Sequence, residues 1–140
     1  MHRRPLGRGR QLAAISAAII VLGCLLPWWQ FGGTAGELTK LTGNAFEGSG
    51  ILVFFAALAT IALLALPYAA GDKPVGIDRS ISFAAVAVVG WIGLLVRAID
   101  LGTKGALALP DRAPGLWLAI AGLILLSRAV YDLTRERASR

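Results

Sequence analysis

The sequence predicts an all-α fold, an integral membrane four-helix bundle, on three observations. Hydrophobic residues make up 56% of the 140 residues and charged ones 16%, with a mean hydropathy of +0.70, too apolar for an ordinary soluble domain. Four long uncharged runs are separated by polar links bearing glycine and proline, and most approach the roughly 20 residues that a spanning helix needs. The net charge of +6 comes from Lys and Arg placed outside those runs. A threaded membrane chain distributes positive charge in this way, so the balance points to membrane lipids as partners and no nucleic acid.

One domain follows, with a basic arm over 1–11, a transmembrane domain over 12–131 and a basic tail over 132–140. The spans fall at about 12–29, 51–70, 80–99 and 114–131, by the length a bilayer requires. Residues 30–50 and 100–113 form outer loops, and 71–79 an inner one.

The first run, Leu12 to Trp29, holds 18 residues without a charge. Before it, Arg3, Arg4, Arg8 and Arg10 stand among glycines and a proline, which predicts a disordered arm held against anionic headgroups. A signal peptide begins in the same way, and Val21-Leu22-Gly23-Cys24 is similar to a bacterial lipobox. The segment stays apolar through Leu25-Leu26-Pro27-Trp28-Trp29, however, where a lipidated protein turns polar. Cys24 is therefore read as a small packing residue. Pro27 lacks an N–H and crowds the preceding turn, so it ends or kinks the helix.

In the first outer loop, Gly32-Gly33 and Gly43-Asn44 are turn material. Glu37 to Thr42 reads as a short strand of a small hairpin folded over the helix ends. Ile51 to Ala70 is the second span, and the short polar link after it makes spans two and three antiparallel neighbours. The third run, Ile81 to Val96, rises only about 24 Å against a hydrocarbon core of about 30 Å. It spans only if the helix continues through Arg97 to Ile99. Gly115 to Ser127 begins the fourth, and Arg128 opens a basic stretch with Arg135, Arg137 and Arg140.

Orientation follows from the Lys and Arg count on each side of this threading. Ten lie with the two termini and the 71–79 link, and four (Lys40, Arg97, Lys104 and Arg112) on the opposite side. Positive charge is retained in the cytoplasm, which predicts a multi-pass membrane protein with both termini cytoplasmic. Aromatics with a polar edge favour the boundary of lipid and water. On this threading Trp28, Trp29, Trp91 and Trp117 occupy the outer half, while Tyr68 and Tyr131 lie at inner helix ends.

Helices associate in lipid by close approach, so small residues mark the seams. At 100° per residue, Gly115, Ala119, Gly122 and Ala129 form a stripe on span four, opposite Trp117, Ile124 and Arg128. Arg128 is expected to point toward lipid and snorkel to headgroups. Span three places Ser82, Gly90, Gly93, Arg97 and Asp100 on one face, with Trp91 opposite. Span one offers Ala13, Ser16, Ala17, Gly23 and Cys24, and span two Ala56, Ala57 and Thr60. Gly50-Ile51-Leu52-Val53 and Gly115-Leu116-Trp117-Leu118 also open equivalent helices, so two tandem hairpins are an alternative arrangement.

Catalytic constellations are scarce. One cysteine and one histidine preclude an intrachain disulfide, a CxxC centre and most metal sites, so no metal, cofactor or catalytic residue is assigned. Arg97 and Asp100 are the only charges that share a face with a small-residue seam, which makes them the candidate polar site at the membrane edge. The plainer account is an i,i+3 ion pair at the interface, worth tenths of a kcal/mol. Glu47, before Gly48, completes the candidate set and is read as ordering the entrance to the second helix.

Leu25-Leu26-Pro27-Trp28-Trp29, Asn44-Ala45-Phe46-Glu47-Gly48-Ser49-Gly50 and Gly115-Leu116-Trp117-Leu118-Ala119 together resemble a group of small four-helix membrane proteins. That group is frequent in high-GC bacteria such as actinobacteria, and the 11 arginines against 3 lysines fit such a genome. The resemblance covers most of the chain and implies a topology, without an activity. Claudin-like proteins share the four spans and a tryptophan in the first loop, but their loop cysteine pair is missing here. The role expected is a non-catalytic scaffold, assembly or accessory subunit with a membrane-protein partner, or a homo-oligomer. A minimal transporter or lipid-handling protein with Arg97 and Asp100 in an outer-facing cavity is the alternative.

Overall fold

A computed structural model describes residues 7–31, 41–46, 48–70, 79–104 and 114–138. Helix α1 spans Arg8–Leu25, α2 Ile51–Ala70, α3 Arg79–Thr103 and α4 Pro114–Ala138. Two short strands, β1 (Trp29–Phe31) and β2 (Leu41–Gly43), pair antiparallel with Trp29 opposite Gly43 and Phe31 opposite Leu41. A single 3₁₀ turn, Gly48–Gly50, leads into α2. The chain is an all-α four-helix bundle, and all four helices are long and apolar enough to cross a membrane.

The helices pack in the cyclic order α1–α2–α3–α4, each against two neighbours. At one end, called here the loop end, α1 and α3 finish and α2 and α4 begin. The other, the termini end, brings the start of α1 beside the end of α4. The most extensive seam joins α1 to α4, the next joins α2 to α3, and α3–α4 is the slightest of the four. Tandem hairpins α1–α2 and α3–α4 are therefore not the packing units. The reason lies in the backbone approach that glycine permits. A Cβ on Gly23 would stand 2.8 Å from Ala119 N, and one on Gly122 2.5 Å from Ile20 Cγ1. A Cβ on Gly115 would run into the carbonyl oxygens of Leu26 and Gly23.

The small-residue faces are the buried ones. Ala13, Ser16, Ala17, Gly23 and Cys24 of α1, Ala56, Ala57 and Thr60 of α2, and Ala119, Gly122 and Ala129 of α4 are all buried. On α3, Gly90 meets Leu123 and Ala56, and Gly93 meets Leu52 and the Ser49 carbonyl. Buried hydroxyls are returned to their own helices, Ser16 Oγ donating to Ala13 O at 2.7 Å and Thr60 Oγ1 to Ala56 O at 2.8 Å. In a medium without water these bonds remove the cost of an unpaired donor.

Three boundaries differ from the sequence expectation. Helix α1 starts at Arg8, so Arg8, Gly9 and Arg10 belong to the helix and not to a disordered arm. The same helix stops at Leu25, four residues before Trp29, because Leu26 precedes Pro27 and takes the extended conformation (φ −85°, ψ 159°) that proline imposes on its neighbour. At the other end of the chain α4 continues through Arg128 to Ala138, where a tail from residue 132 was expected. Its basic residues are good helix formers, and no proline or glycine follows Gly122 to stop it. Helix α3 likewise runs through Arg97, and its 25 residues rise about 37 Å, enough to span.

Candidate functional site

The loop end is closed by a chain of short-range constraints. Trp28 N donates to Gly43 O at 2.7 Å, and Gly115 N, one of the first donors of α4, reaches Pro27 O at 3.0 Å. Asn44 Oδ1 then accepts from Phe46 N at 3.1 Å, turning the chain back toward the bundle. Ala45 is buried against Gly50, whose Cβ, if present, would lie 2.6 Å from the Ala45 carbonyl oxygen. Phe46 packs edge-on to Phe54, ring centroids 4.9 Å apart. Asn44–Phe46 and Gly48–Gly50 are thus seated on the helix ends.

Arg97 lies beneath that seat. Its residue exposure is only 8%, far from the open interface that a simple boundary ion pair occupies. Nη1 donates to Asp100 Oδ2 at 2.8 Å, and Lys104 Nζ lies 3.2 Å from the same carboxylate, so Asp100 is shared by two cations, each about one turn away from it. A Cβ on Gly48 would stand 3.2 Å from Arg97 Nη1, and Gly48 has φ +75°, a conformation that a side chain disfavours. The backbone conformation therefore favours glycine at this position, and a Cβ would also displace the Arg97 guanidinium slightly. Down one face of α3, Gly90 takes Ala56, Gly93 takes Ser49 and Leu52, and Arg97 takes Gly48, which fixes the register of α2 and its entry turn. Glu47, the third member of the candidate set, lies outside the described residues.

The aromatic residues divide differently from the expected belt. Trp117 (40% exposed) and Tyr68 (71% exposed) stand on the surface near helix ends, whereas Tyr131, also exposed and between Arg128 and Arg135, lies within α4, which continues to Ala138. Trp29 enters β1. Trp28 is fully buried, and its Nε1 donates to Gly23 O at 2.8 Å, so it plugs the bundle and does not face the boundary. Trp91 also departs from the belt: it stands at the midpoint of α3, where Nε1 donates to Ser127 Oγ at 2.8 Å, and Ser127 passes the bond to Leu123 O at 2.9 Å. An indole N–H at that depth needs a protein partner, and α4 supplies one.

Several participants carried no mark in the sequence reading. Ser127 and Lys104 are two. Glu136 is a third: its carboxylate sits 3.5 Å from Gly9 N, at the start of an α1 that has no acidic residue in its first turn. Arg8 and Arg10 put positive charge at that already positive helix end, and Glu136 opposes it from α4. Only Gly23 had a readable signal, since a carbonyl four residues before a proline loses its helical donor.

Among the described residues no group of three or more His, Cys, Asp and Glu converges as metal ligands would. No family model, curated protein or solved structure matches the chain.

Proposed function

We propose that the chain is a non-catalytic subunit of a bacterial plasma-membrane assembly, a scaffold or accessory protein threaded with both termini in the cytoplasm. The observation that carries the reading is where the polar groups go. Trp28, Trp91, Ser127, Ser16 and Thr60 all form hydrogen bonds within the bundle, and Arg97 is bound to Asp100 under Gly48. Of these, Trp91–Ser127 ties α3 to α4 and Arg97 under Gly48 sets the entry turn of α2, while the others stay within or at the end of their own helix. Meanwhile α2 and α3 turn broad apolar faces outward, through Phe55 and Leu58 on one and Ile92, Leu95 and Ile99 on the other. A rigid body with apolar faces suits a neighbour in the membrane, a second protein or another copy. The resemblance to small four-helix proteins of high-GC bacteria supports the topology, and the ten-to-four charge division supports the orientation.

Co-purification from gently solubilised native membranes tests the proposal. A stoichiometric membrane-protein partner, or a stable homo-oligomer inert in flux assays, is the expected result. A lone oligomer that moves a solute or lipid across reconstituted vesicles, with the movement lost in Arg97→Gln, would favour the transporter instead.

A further inference from the structure

Arg128, Tyr131 and Arg135 follow at intervals of three and four residues on α4 and so share one face. The same face carries Trp117 and Ile124, both exposed, toward the loop end, and it lies opposite the glycine seam with α1. Counted from Pro114, Arg128 is about 21 Å along the helix and Arg135 about 32 Å, so a hydrocarbon layer of about 30 Å beginning at Pro114 ends between them.

The two arginines reach toward each other. Side chains on a helix lean toward its N-terminus, so Tyr131 and Asp132 come back over Arg128. Its guanidinium carbon is 5.3 Å from the Tyr131 ring centroid, and its Nε is 3.6 Å from Asp132 Oδ1. Arg135 leans back, its guanidinium carbon 5.4 Å from the same centroid. Two guanidinium groups therefore meet one half-exposed tyrosine about 26 Å along the helix, just inside the edge of that layer, from which arginine side chains reach the headgroups. Asp132 offsets one of these charges, and among the described residues Arg135 has no ion-pair partner. Converging cations repel unless an anion joins them.

We infer that this strip binds the phosphate of an anionic phospholipid, whose acyl chains lie along Ile124 and Trp117. A guanidinium presents paired N–H donors to phosphate oxygens, and Tyr131 is within contact of both groups. The exposed apolar stripe running down from the charges selects a lipid over a soluble anion. The site needs only a bilayer, so it stands or falls independently of the accessory role.

Native mass spectrometry of the full-length protein, released from vesicles of mixed phosphatidylglycerol and phosphatidylcholine, tests the site. Wild type should retain phosphatidylglycerol preferentially. Arg128→Gln/Arg135→Gln should weaken that retention by about tenfold or more, the loss of at least one charge-assisted contact. Arg8→Gln/Arg10→Gln, which removes the same charge from the same end, should leave it near the wild-type level. Tyr131→Leu keeps both charges and should also lose retention, and its small change at an exposed position guards against misreading a folding defect. Inorganic phosphate should not displace the lipid. Equal losses in the two arginine pairs, full retention in Tyr131→Leu, absence of headgroup preference, or displacement by phosphate would each overturn the inference.

Discussion

The indole N–H of Trp28 donates to the carbonyl oxygen of Gly23 at 2.8 Å, replacing the donor that Pro27 removes from α1. In an uninterrupted helix that oxygen would accept from residue 27, and proline has no N–H to give. Leu22 O is still served, by Leu26 N at 3.2 Å. Trp28 therefore ends the helix without leaving a buried carbonyl unpaired, and its ring fills the space above the seam.

Trp28→Phe keeps most of the ring and deletes the N–H. The expected cost is about 1–3 kcal/mol in a detergent unfolding titration, the penalty of one unsatisfied buried acceptor. Pro27→Ala restores a backbone donor at the same oxygen. The double variant should thus lose less than the sum of the singles, a coupling that a double-mutant cycle reads directly.

The α1–α4 seam predicts an asymmetric pair of substitutions. Gly122→Leu drives a side chain into Ile20, within 2.5 Å at its Cβ and 3.1 Å from the Ile20 backbone nitrogen. It should destabilise by about 1–3 kcal/mol or more, as overpacking does. Ile124→Leu, on the exposed face, should leave the melting temperature nearly unchanged.

Much of this architecture is legible in the sequence because lipid imposes a simple code. Uninterrupted apolar length marks the spans, and small residues at helical spacing mark Gly90, Gly93, Gly115, Ala119 and Gly122 as places of close approach. The pairing of α1 with α4 is not legible, since nothing local distinguishes Gly23 meeting Gly115 from Gly23 meeting another helix. Helix ends misled for the opposite reason. Composition alone reads 1–11 and 132–140 as polar arm and tail, yet Glu136 beside Gly9 and Leu133 against Gly9 show the start of α1 and the end of α4 packing as helix on helix. Trp28 and Trp91 look like boundary residues by type, but each gives its N–H to a specific partner in the protein, Trp28 inside the bundle and Trp91 on the outer side of the α3–α4 seam. At the polar site, Arg97 and Asp100 follow from i,i+3 spacing, whereas the burial of Arg97 comes from Gly48, a contact across 49 positions.

That burial separates two substitutions that a surface ion pair would treat alike. Asp100→Asn, at a carboxylate about one-third exposed, should cost about 1 kcal/mol or less. Gly48→Ala should cost about 1–2 kcal/mol from its left-handed backbone alone, with the Arg97 contact added. Both are read as shifts in denaturant midpoint at constant slope.

Glu136→Gln should lower stability by about 0.3–1 kcal/mol, the worth of a carboxylate at a helix N-terminus, and the effect should shrink in high salt. Glu136→Lys should cost more than Glu136→Gln, because it adds a third cation beside Arg8 and Arg10. Equal melting curves for the wild type and Glu136→Lys would remove the carboxylate from the α1 terminus.

The threading of the four spans is tested most directly by single cysteines at Thr39 and Ser139, each in a Cys24→Ala background. Intact cells are exposed to a membrane-impermeant thiol reagent, and labelling is compared with that after permeabilisation. Cys at position 39 should react in intact cells, and Cys at position 139 only after permeabilisation. Labelling of position 139 in intact cells, or protection of position 39, would contradict a four-span bundle with both termini in the cytoplasm.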